Sequence, residues 1–593
     1  MIGTSIGVYM PGNKNIDTSM LLKEPWHKLN NIIEDKNATI AYSYYDSYSI
    51  KDWIIDDNVF IFEGLIYNME FSDIKRKLNL LALENKHSNI KEAIDSFINE
   101  ADGDYVVTIY NKKNKRLIIF NDILGGLAIH YSYSENHILL SRSLSYVICN
   151  EGKIDLSPQK LSEFVTFGYN VGDHTIFNNI KKLTPATCLI VSYDNSKLKV
   201  DVFQVIEPSF ATEKQFKSKD EAVTVLKDIF LESCKRRVQY AIKNDYTIVN
   251  TMSGGFDSRT ILGGIEKYIE NKNYTNITYE YKQDESEVAK KVLNKIGSSS
   301  KYVKLSFQNN PILDDSKLSF KTDGKIPIYT NSVCYNDMQF CIGNYLHDKK
   351  VLYFGGFGGE YIRHPYKAFL QSPKQWGLSF TPSVKLISGI FNCTPDNVLT
   401  SLNNVAKDHF NDGNEAVAKF YYNEYYQNLV RCSGEERTRM FFNTVQPMMS
   451  KDFILTIRNR VPLKWVGFNF YASFLKKIDP RLLEVELYNS VDIKSKKALF
   501  LEDFKHNWSI VSYIRYLLRK YTRYEYNNKP NSIDFRLIEK FYNGLSDKSI
   551  IDFTYLKSVY DVIGRAAQLR VLTILEFIYE CEAYFKKDRK III

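Results

Sequence analysis

Hydrophobic and polar positions follow two different patterns along the chain. Before about residue 205, short apolar runs alternate with polar segments rich in turn formers, as in residues 59–62, 104–110 and 116–120. Such runs predict β-strands, and the turn formers 111–114 predict a hairpin between the last two. The clearest helical spacing of apolar residues is in 88–100. This part of the chain is therefore predicted to be mostly β.

From about residue 206 onward, predicted strands and helices alternate. A helical stretch that reaches residue 243 precedes the apolar strand 246–251, which leads into a glycine-rich turn and another helical stretch. The strand 277–281 leads to the helical stretch 286–296, and the strand 351–354 ends in a second glycine-rich turn. This alternation predicts a parallel sheet with helices on both faces. The remainder is mostly helical in pattern.

Composition narrows the class of protein. The 593 residues are 44% hydrophobic and 14% aromatic, which excludes an intrinsically disordered chain. The formal charge of +9 is small for this length and favours a solvated surface over a nucleic-acid partner. No apolar run is long enough to predict a membrane span, and no basic segment followed by an apolar stretch predicts secretion.

The use of cysteine indicates the compartment. The 8 cysteines are scattered without a CxxC pair, a pattern typical of reduced thiols rather than of a disulfide framework or a zinc site. We therefore expect a cytoplasmic protein with no nucleic-acid partner and no membrane partner. A homodimer is left open.

The segment MSGGFDS, residues 252–258, is the sharpest local signal for chemistry. It lies between a predicted strand and a predicted helix, where backbone N–H groups, glycines and a helix N-terminus together form an anion-binding cradle. Ser253 and Ser258 add hydroxyl donors, and Asp257 suits a cradle that also holds Mg²⁺. The segment is not a Walker A motif, because it lacks GK[ST]. The alternative is an ordinary strand-to-helix turn, in which Gly and Ser are also common.

SGGFDS resembles the pyrophosphate-binding motif of the N-type ATP pyrophosphatases, and the segments around it resemble the asparagine synthetase superfamily. GGFGGE at 355–360 is similar to that family's SGxGxDE turn. In the N-terminal part, EGLIYN at 63–68 resembles NGEIYN, DGDY at 102–105 resembles DGxF, and NDILGG at 121–126 is similar to RDRxG. The segments occur in the family's order and cover essentially the whole chain.

The resemblance implies a fold class and a division into two domains. Residues 1–205 are expected to form an α+β, Ntn-hydrolase-like domain, a degenerate glutamine amidotransferase. Residues 206–593 are expected to form an α/β domain of the N-type ATP pyrophosphatase, or adenine nucleotide α-hydrolase-like, type, extended by helices.

Several residues of the family's glutaminase site are replaced in this sequence. The resemblance implies an N-terminal cysteine nucleophile, but residue 2 is Ile, which has no nucleophilic group. The oxyanion asparagine of the family's motif is replaced by Glu63, whereas Asp102 is kept. Thr4 and Ser5 could serve as nucleophiles only after unusual trimming. We therefore predict that glutamine hydrolysis is absent.

The resemblance also implies roles in the second domain. Asp257 and Glu360 would hold Mg²⁺, because both offer hard oxygen ligands. Arg363 lies three residues after Glu360 and, from that position rather than from the resemblance, would either supply some charge stabilisation during catalysis or be a surface or packing arginine. The residues expected to contact ATP or its pyrophosphate are Met252, Ser253, Gly254, Gly255, Asp257, Ser258, Tyr279, Tyr281, Gly355 and Gly356.

Two departures bear on catalysis in this domain. Phe357 occupies a family position implicated in proton handling, and phenylalanine cannot act as an acid or a base. The late lysine of the family, which stabilises charge as the amine attacks, has no definite counterpart. Lys464, Lys476 and Lys477 are nearby candidates.

These observations predict an AMP-forming, ATP- and Mg²⁺-dependent carbon–nitrogen ligase. A small-molecule or peptide carboxylate would be adenylated, and free ammonia or an amine of the substrate would then displace AMP. The alternative is a catalytically silent relative that uses the fold for binding or scaffolding. Phe357 and the unplaced lysine favour that alternative, whereas the intact SGGFDS turn favours the ligase.

Overall fold

The structure is a computed structural model, and it describes thirteen segments of the chain. These are residues 2–9, 16–34, 38–194, 197–210, 215–269, 274–280, 284–306, 322–324, 346–363, 384–428, 435–487, 491–507 and 533–588. Within these segments, no helix has the length and apolar character needed to cross a membrane.

The first two hundred residues form two antiparallel sheets in the described part of the chain. The strands are β1 (Gly3–Tyr9), β2 (Lys28–Glu34), β3 (Ala38–Tyr44), β4 (Ile50–Ile55), β5 (Asn58–Ile66), β6 (Gly103–Asn111), β7 (Leu117–Asn121), β8 (His130–Tyr133), β9 (His137–Ser141), β10 (Lys181–Lys182), β11 (Thr187–Asp194) and β12 (Lys197–Gln204). One sheet has the order β10-β8-β9-β1-β3-β2 and the other β12-β11-β7-β6-β5-β4. The predicted hairpin joins β6 and β7.

The two sheets pack face to face, and helices cover their outer faces. Ile6 and Ile40 of the first sheet share a buried core with Ile61 and Leu189 of the second. The helices α1 (Phe71–Leu83) and α2 (His87–Glu100) share a separate core with the second sheet, and α2 confirms the predicted helix. On the other side, α3 (Leu144–Glu151) packs against β8 and β9, and α4 (Pro158–Phe167) follows it. The result is a four-layer α/β sandwich.

The second part contains a parallel sheet, as the alternating pattern predicted. Its strands are β13 (Thr247–Thr251), β14 (Tyr274–Glu280), β15 (Lys301–Ser306), β16 (Val351–Phe354) and β17 (Asn443–Val445). The order is β15-β14-β13-β16-β17, and every pair is parallel. The order reverses between β13 and β16, and such a switch point leaves a crevice at the carboxyl ends of the strands.

Helices accompany this sheet and continue to the end of the described chain. They are α5 (Lys219–Lys243), α6 (Phe256–Glu266) and α7 (Ser286–Ile296), followed by the helices Glu360–Arg363, Pro395–Ala406, Asn414–Tyr425, Glu436–Thr438, Lys451–Arg460, Phe468–Ile478, Lys496–Asn507, Phe535–Gly544, Phe553–Val559 and Arg565–Asp588. The last three do not simply extend the α/β unit. Leu572 and Ile578 share one buried core with Val147 of α3 and with Leu161 and Val165 of α4. The C-terminal helices therefore pack on the N-terminal sandwich.

The division of the chain at residues 205 and 206 stays a prediction. The last strand of the sandwich, β12, ends at Gln204, and the first helix of the second part, α5, begins at Lys219. The predicted boundary falls between them.

Candidate functional site

The SGGFDS turn joins β13 to the first turn of α6. Gly255 is the residue before the helix, and its N–H donates to the Ser253 hydroxyl at 3.2 Å. The hydroxyls of Ser253 and Ser258 lie 3.1 Å apart, and Ser258 Oγ also donates to the Ser253 carbonyl at 3.0 Å. The structure thus brings together the predicted serines and glycines at a helix N-terminus, where the helix dipole favours an anion.

Two side chains hold this turn in place. The Glu285 carboxylate accepts a hydrogen bond from the Gly254 N–H at 2.5 Å, so one donor of the predicted cradle is already engaged. The buried guanidinium of Arg259 donates to the carbonyls of Gly254, at 3.1 Å, and Leu482, at 3.0 Å. Burial lowers the pKa of Arg259 to about 10. Sequence reasoning overlooked Arg259, although a charged residue within the apolar stretch of α6 was a visible signal.

The turn after β16 meets the first turn at Asp257. A Cβ on Gly359 would lie 2.0 Å from Asp257 Oδ1, and a Cβ on Gly356 would lie 2.7 Å from the Asp257 Cβ. Gly355 donates its N–H to the Val445 carbonyl at 2.9 Å. The two glycine-rich turns therefore touch at the switch point of the sheet, and only glycine fits the contact.

Gly359→Ala is expected to lower the free energy of unfolding by about 1–3 kcal/mol, because an added methyl would overlap the Asp257 carboxylate. Gly255→Ala, in the neighbouring turn, is the control. Its nearest atom outside the adjacent residues, Ser253 Oγ, lies 3.4 Å from the added Cβ, so the loss should be smaller. Urea unfolding measures both variants. Equal losses would show that the close approach to Asp257 is not the cause.

Asp257 and Glu360 lie side by side with Arg363 between them. Arg363 Nη2 is 2.6 Å from Asp257 Oδ2 and 3.4 Å from Glu360 Oε1. Tyr471, from the helix Phe468–Ile478, donates its hydroxyl to Asp257 Oδ1 at 2.8 Å. Burial raises the pKa of Asp257 to about 7; the Arg363 charge opposes this shift, and the Glu360 charge adds to it. Tyr471 was not foreseen from the sequence, and we find no sequence signal for it.

Whether a divalent cation fits depends on the oxygen atoms of these carboxylates. Glu360 Oε2 is buried and has no hydrogen-bond partner in the structure. It is therefore a free hard ligand next to Asp257, although both Asp257 oxygens already accept hydrogen bonds. Among the described residues, no group of three or more His, Cys, Asp or Glu could hold a metal ion. Two carboxylates fit Mg²⁺ when phosphate oxygens complete the ligand set.

Three other residues were predicted to contact the nucleotide, and the structure links the two that it describes less closely to Asp257. Met252 is buried in the core; its N–H donates to the Ile277 carbonyl at 2.8 Å, and its carbonyl accepts from Thr278 Oγ1 at 2.7 Å. Tyr279 belongs to β14 and pairs with Leu305 of β15. Tyr281 lies outside the described residues.

None of the lysine candidates is recorded in contact with Asp257, Glu360 or Arg363. Lys477 Nζ pairs with Asp220, at 2.7 Å, and with the Thr224 hydroxyl, at 2.6 Å, both on α5. Lys464 and Lys476 are exposed. Phe357, whose side chain cannot act as an acid or a base, donates its backbone N–H to Gln446 Oε1 at 3.1 Å.

In the sandwich, Glu63, which stands in place of the family's oxyanion asparagine, is a buried carboxylate. Glu63 Oε2 accepts from the N–H and the hydroxyl of Thr4, at 2.9 and 2.8 Å, and Glu63 Oε1 accepts from Arg142 Nε at 2.9 Å. A Cβ on Gly3 would lie 2.2 Å from Glu63 Oε1. The Ser5 hydroxyl is hydrogen-bonded to Ser141. The carboxylate is therefore packed tightly against β1.

The Glu63–Arg142 pair continues into the second part of the chain. Arg142 Nη2 lies 2.6 Å from both carboxylate oxygens of Glu436. Arg439 in turn pairs with Glu436 at 3.0 Å and with Glu435 at 2.7 Å. All five side chains are buried. Burial opposes the charge on Arg142, but Glu436 and Glu63 outweigh it and hold the pKa of Arg142 well above its usual value. We call these five residues the buried charge network.

Asp102, the residue kept from the glutaminase pattern, is paired with α5. Arg237 donates to its two carboxylate oxygens at 3.1 and 3.0 Å, and Arg236 lies 3.3 Å away. Burial alone would raise the pKa of Asp102, but the Arg237 and Arg236 charges outweigh it and lower the pKa below its usual value. Asp102 thus serves as a second link between the two parts of the chain.

Comparison with protein families identifies one region of the chain. Residues 55–202 match the glutamine amidotransferase domain. The match supports an amidotransferase-type N-terminal region and ends before α5 and the parallel sheet. No curated protein matches the sequence.

Two solved structures are similar to parts of the chain. One is glutamine phosphoribosylpyrophosphate (PRPP) amidotransferase from B. subtilis complexed with ADP and GMP, at 10% identity and a TM-score of 0.20. The other is described as the allosteric regulatory enzyme of purine biosynthesis, at 9% identity and a TM-score of 0.20. The matches cover 54% and 52% of this chain, and the chain spans 65% of the first and 76% of the second. At this TM-score the likeness carries no conclusion about fold or activity.

Proposed function

We propose that this chain is an ATP-dependent ligase that adenylates a carboxylate and transfers the acyl group to ammonia or to an amine of the substrate. We assign the sandwich to the Ntn-hydrolase type and the parallel sheet to the ATP pyrophosphatase type. One observation carries the proposal. The SGGFDS turn and the turn 355–360 meet at Asp257, in the crevice that a doubly wound sheet uses for ligands.

The turn after β13 would bind the pyrophosphate part of ATP. The backbone N–H groups in the first turn of α6 point along the helix axis, and their dipoles attract phosphate oxygens. The Ser253 hydroxyl lies beside them and would add a donor, and the Ser258 hydroxyl would add another by turning away from the Ser253 carbonyl, to which it donates at 3.0 Å. Arg259 keeps the turn in position through the Gly254 carbonyl. This arrangement would hold the leaving group while the bond to the α-phosphorus breaks.

The carboxylate pair would complete the site. Asp257 and Glu360 would hold Mg²⁺, which neutralises phosphate charge when bound. In the first step, a substrate carboxylate oxygen bonds to the α-phosphorus and pyrophosphate leaves. In the second, the amine nitrogen bonds to the acyl carbon, AMP leaves and the amine gives up a proton. Phe357 cannot accept that proton, so we expect substrate or water to take it.

The proposed ligase does not hydrolyse glutamine. Two features support this part of the proposal. Glu63 is enclosed by Thr4, Arg142 and the Gly3 backbone, and Asp102 is bound by Arg237, which leaves neither carboxylate open to a glutamine molecule. The match of residues 55–202 favours the rival function, glutamine-dependent amide transfer. An assay for glutamate released from glutamine separates the two, and sustained release by the pure protein would favour the rival.

The test of the ligase is pyrophosphate–ATP exchange together with calorimetry of MgATP binding. The wild-type protein should bind MgATP and, given its carboxylate substrate, catalyse exchange. Asp257→Ala should lose both by at least about 100-fold, since it removes a carboxylate in contact with both turns. Asp201→Ala, at an exposed pair with Lys199 on β12, should behave like wild type. A wild-type protein that binds no nucleotide, or an unaffected Asp257→Ala variant, would favour the scaffold alternative.

A further inference from the structure

Arg363 already occupies the position of a cation between Asp257 and Glu360. Its Nη2 atom lies 2.6 Å from Asp257 Oδ2 and 3.4 Å from Glu360 Oε1, and it sits at the end of the helix Glu360–Arg363. With both carboxylates ionised, the three charges sum to −1 with Arg363 and to −2 without it. Glu360 Oε2 remains buried without a hydrogen-bond partner in the structure. The pair is thus partly neutralised by an internal guanidinium.

A guanidinium and a divalent cation compete for such oxygens. Mg²⁺ binds carboxylates at about 2.0–2.1 Å and demands near-octahedral geometry. Arg363 already holds Asp257 Oδ2, and the Tyr471 hydroxyl holds Oδ1. A divalent ion placed here would also face the guanidinium charge within a few ångströms, and the repulsion between the two cations would oppose its binding. Both cations can be accommodated only if the guanidinium moves.

We propose that Arg363 is a built-in counter-ion that keeps a lone divalent cation out of the Asp257–Glu360 pair, so that the metal enters only together with a di- or polyphosphate. Arginine forms strong paired hydrogen bonds to phosphate, so an incoming phosphate ligand gives the guanidinium an alternative partner. About a fifth of the Arg363 side chain is exposed, so its neighbours do not enclose it completely. The identity of the phosphate ligand rests on the proposed function, whereas the exclusion of a lone metal rests only on the contacts of Arg363.

The test uses Mn²⁺ alone, followed by electron paramagnetic resonance, which measures free Mn²⁺. Wild type is expected to bind it weakly, and Arg363→Met is expected to bind it at least about tenfold more tightly, because a unit positive charge is removed beside two carboxylates. Arg363→Lys keeps the charge and should stay within about threefold of wild type. Arg363→Met combined with Asp257→Asn should lose the gain. Arg363→Gln is the replacement if the methionine variant does not fold.

Thermal unfolding is a second test of metal binding, because a ligand that binds only the folded state raises the midpoint temperature of unfolding. Mn²⁺ alone should raise the midpoint of Arg363→Met but not of wild type, and Mn²⁺ with pyrophosphate should raise both. If Mn²⁺ affinity is the same in wild type and Arg363→Met, the inference is overturned. If instead the variant gains Mn²⁺ affinity while wild type neither binds MgATP nor catalyses exchange, the counter-ion role stands and the ligase proposal fails. The two failures are thus distinguishable.

Discussion

Arg142→Met is expected to lower the free energy of unfolding by about 3–5 kcal/mol, since it breaks a buried ion-pair network from the inside. Arg142 is 1% exposed and neutralises both Glu63 and Glu436. Methionine fills much of the same volume but leaves the buried Glu63 without its counter-ion and leaves Glu436 paired only with Arg439. Urea denaturation followed by circular dichroism measures the loss. A loss below about 1 kcal/mol, typical of an exposed pair, would contradict this account of the network.

A second substitution separates charge from packing in this experiment. Glu63→Gln in the Arg142→Met background removes the uncompensated charge and should recover part of the lost stability. If packing alone were responsible, the second substitution would recover nothing. Arg536→Met makes the same chemical change at an exposed pair with Asp534 and should leave the unfolding midpoint close to that of wild type.

Asp102→Asn is expected to destabilise the protein at pH 7 by about 3 kcal/mol, because the buried Arg237 loses its charged partner. The effect should depend on pH. The pKa of Asp102 is lowered in the folded state, so its contribution is present above the unfolded-state value of about 4 and disappears as the pH falls through the folded-state pKa. The stability difference between wild type and Asp102→Asn should therefore shrink below about pH 4.

Urea unfolding at intervals from pH 7 to about pH 2.5 tests this dependence. Asp534→Asn is the matched control, because Asp534 also pairs with an arginine but lies at the surface. Its stability curve should follow that of wild type at every pH. A constant difference between wild type and Asp102→Asn across the range would mean that the Asp102 charge is not the source of the stability.

Patterns of apolar residues, glycines and helix starts within a few positions correctly predicted several helices and strands. The helix expected over 286–296 is observed as Ser286–Ile296, and the strand expected over 246–251 is observed as Thr247–Thr251. The position of SGGFDS between β13 and α6 was also predicted, because apolar strand residues, two glycines and a helix start are all encoded within a few positions. The parallel sheet followed from the alternation of such elements.

Contacts between distant parts of the chain were not predictable in this way. Arg142 and Glu436 are 294 positions apart, and no local pattern marks either as half of a buried pair. Arg363 was considered for packing or for charge stabilisation, but its direct contact with Asp257, 106 positions earlier, depends on the approach of two turns. Asp102 was noted only as a residue kept from the glutaminase pattern, and its partner Arg237 lies on a helix of the other part. Such pairs arise only when the sheets and helices are assembled.

The packing of the last helices on α3 and α4 limits which deletions this protein can tolerate during evolution. Leu161 and Val165 share their core with Leu572 and Ile578, so deleting either end of the chain would uncover an apolar surface on the other. Substitutions that only erode a binding site are tolerated far more easily than such a deletion. Selection for a folded protein would therefore keep the N-terminal sandwich, whether or not the sandwich itself catalyses a reaction.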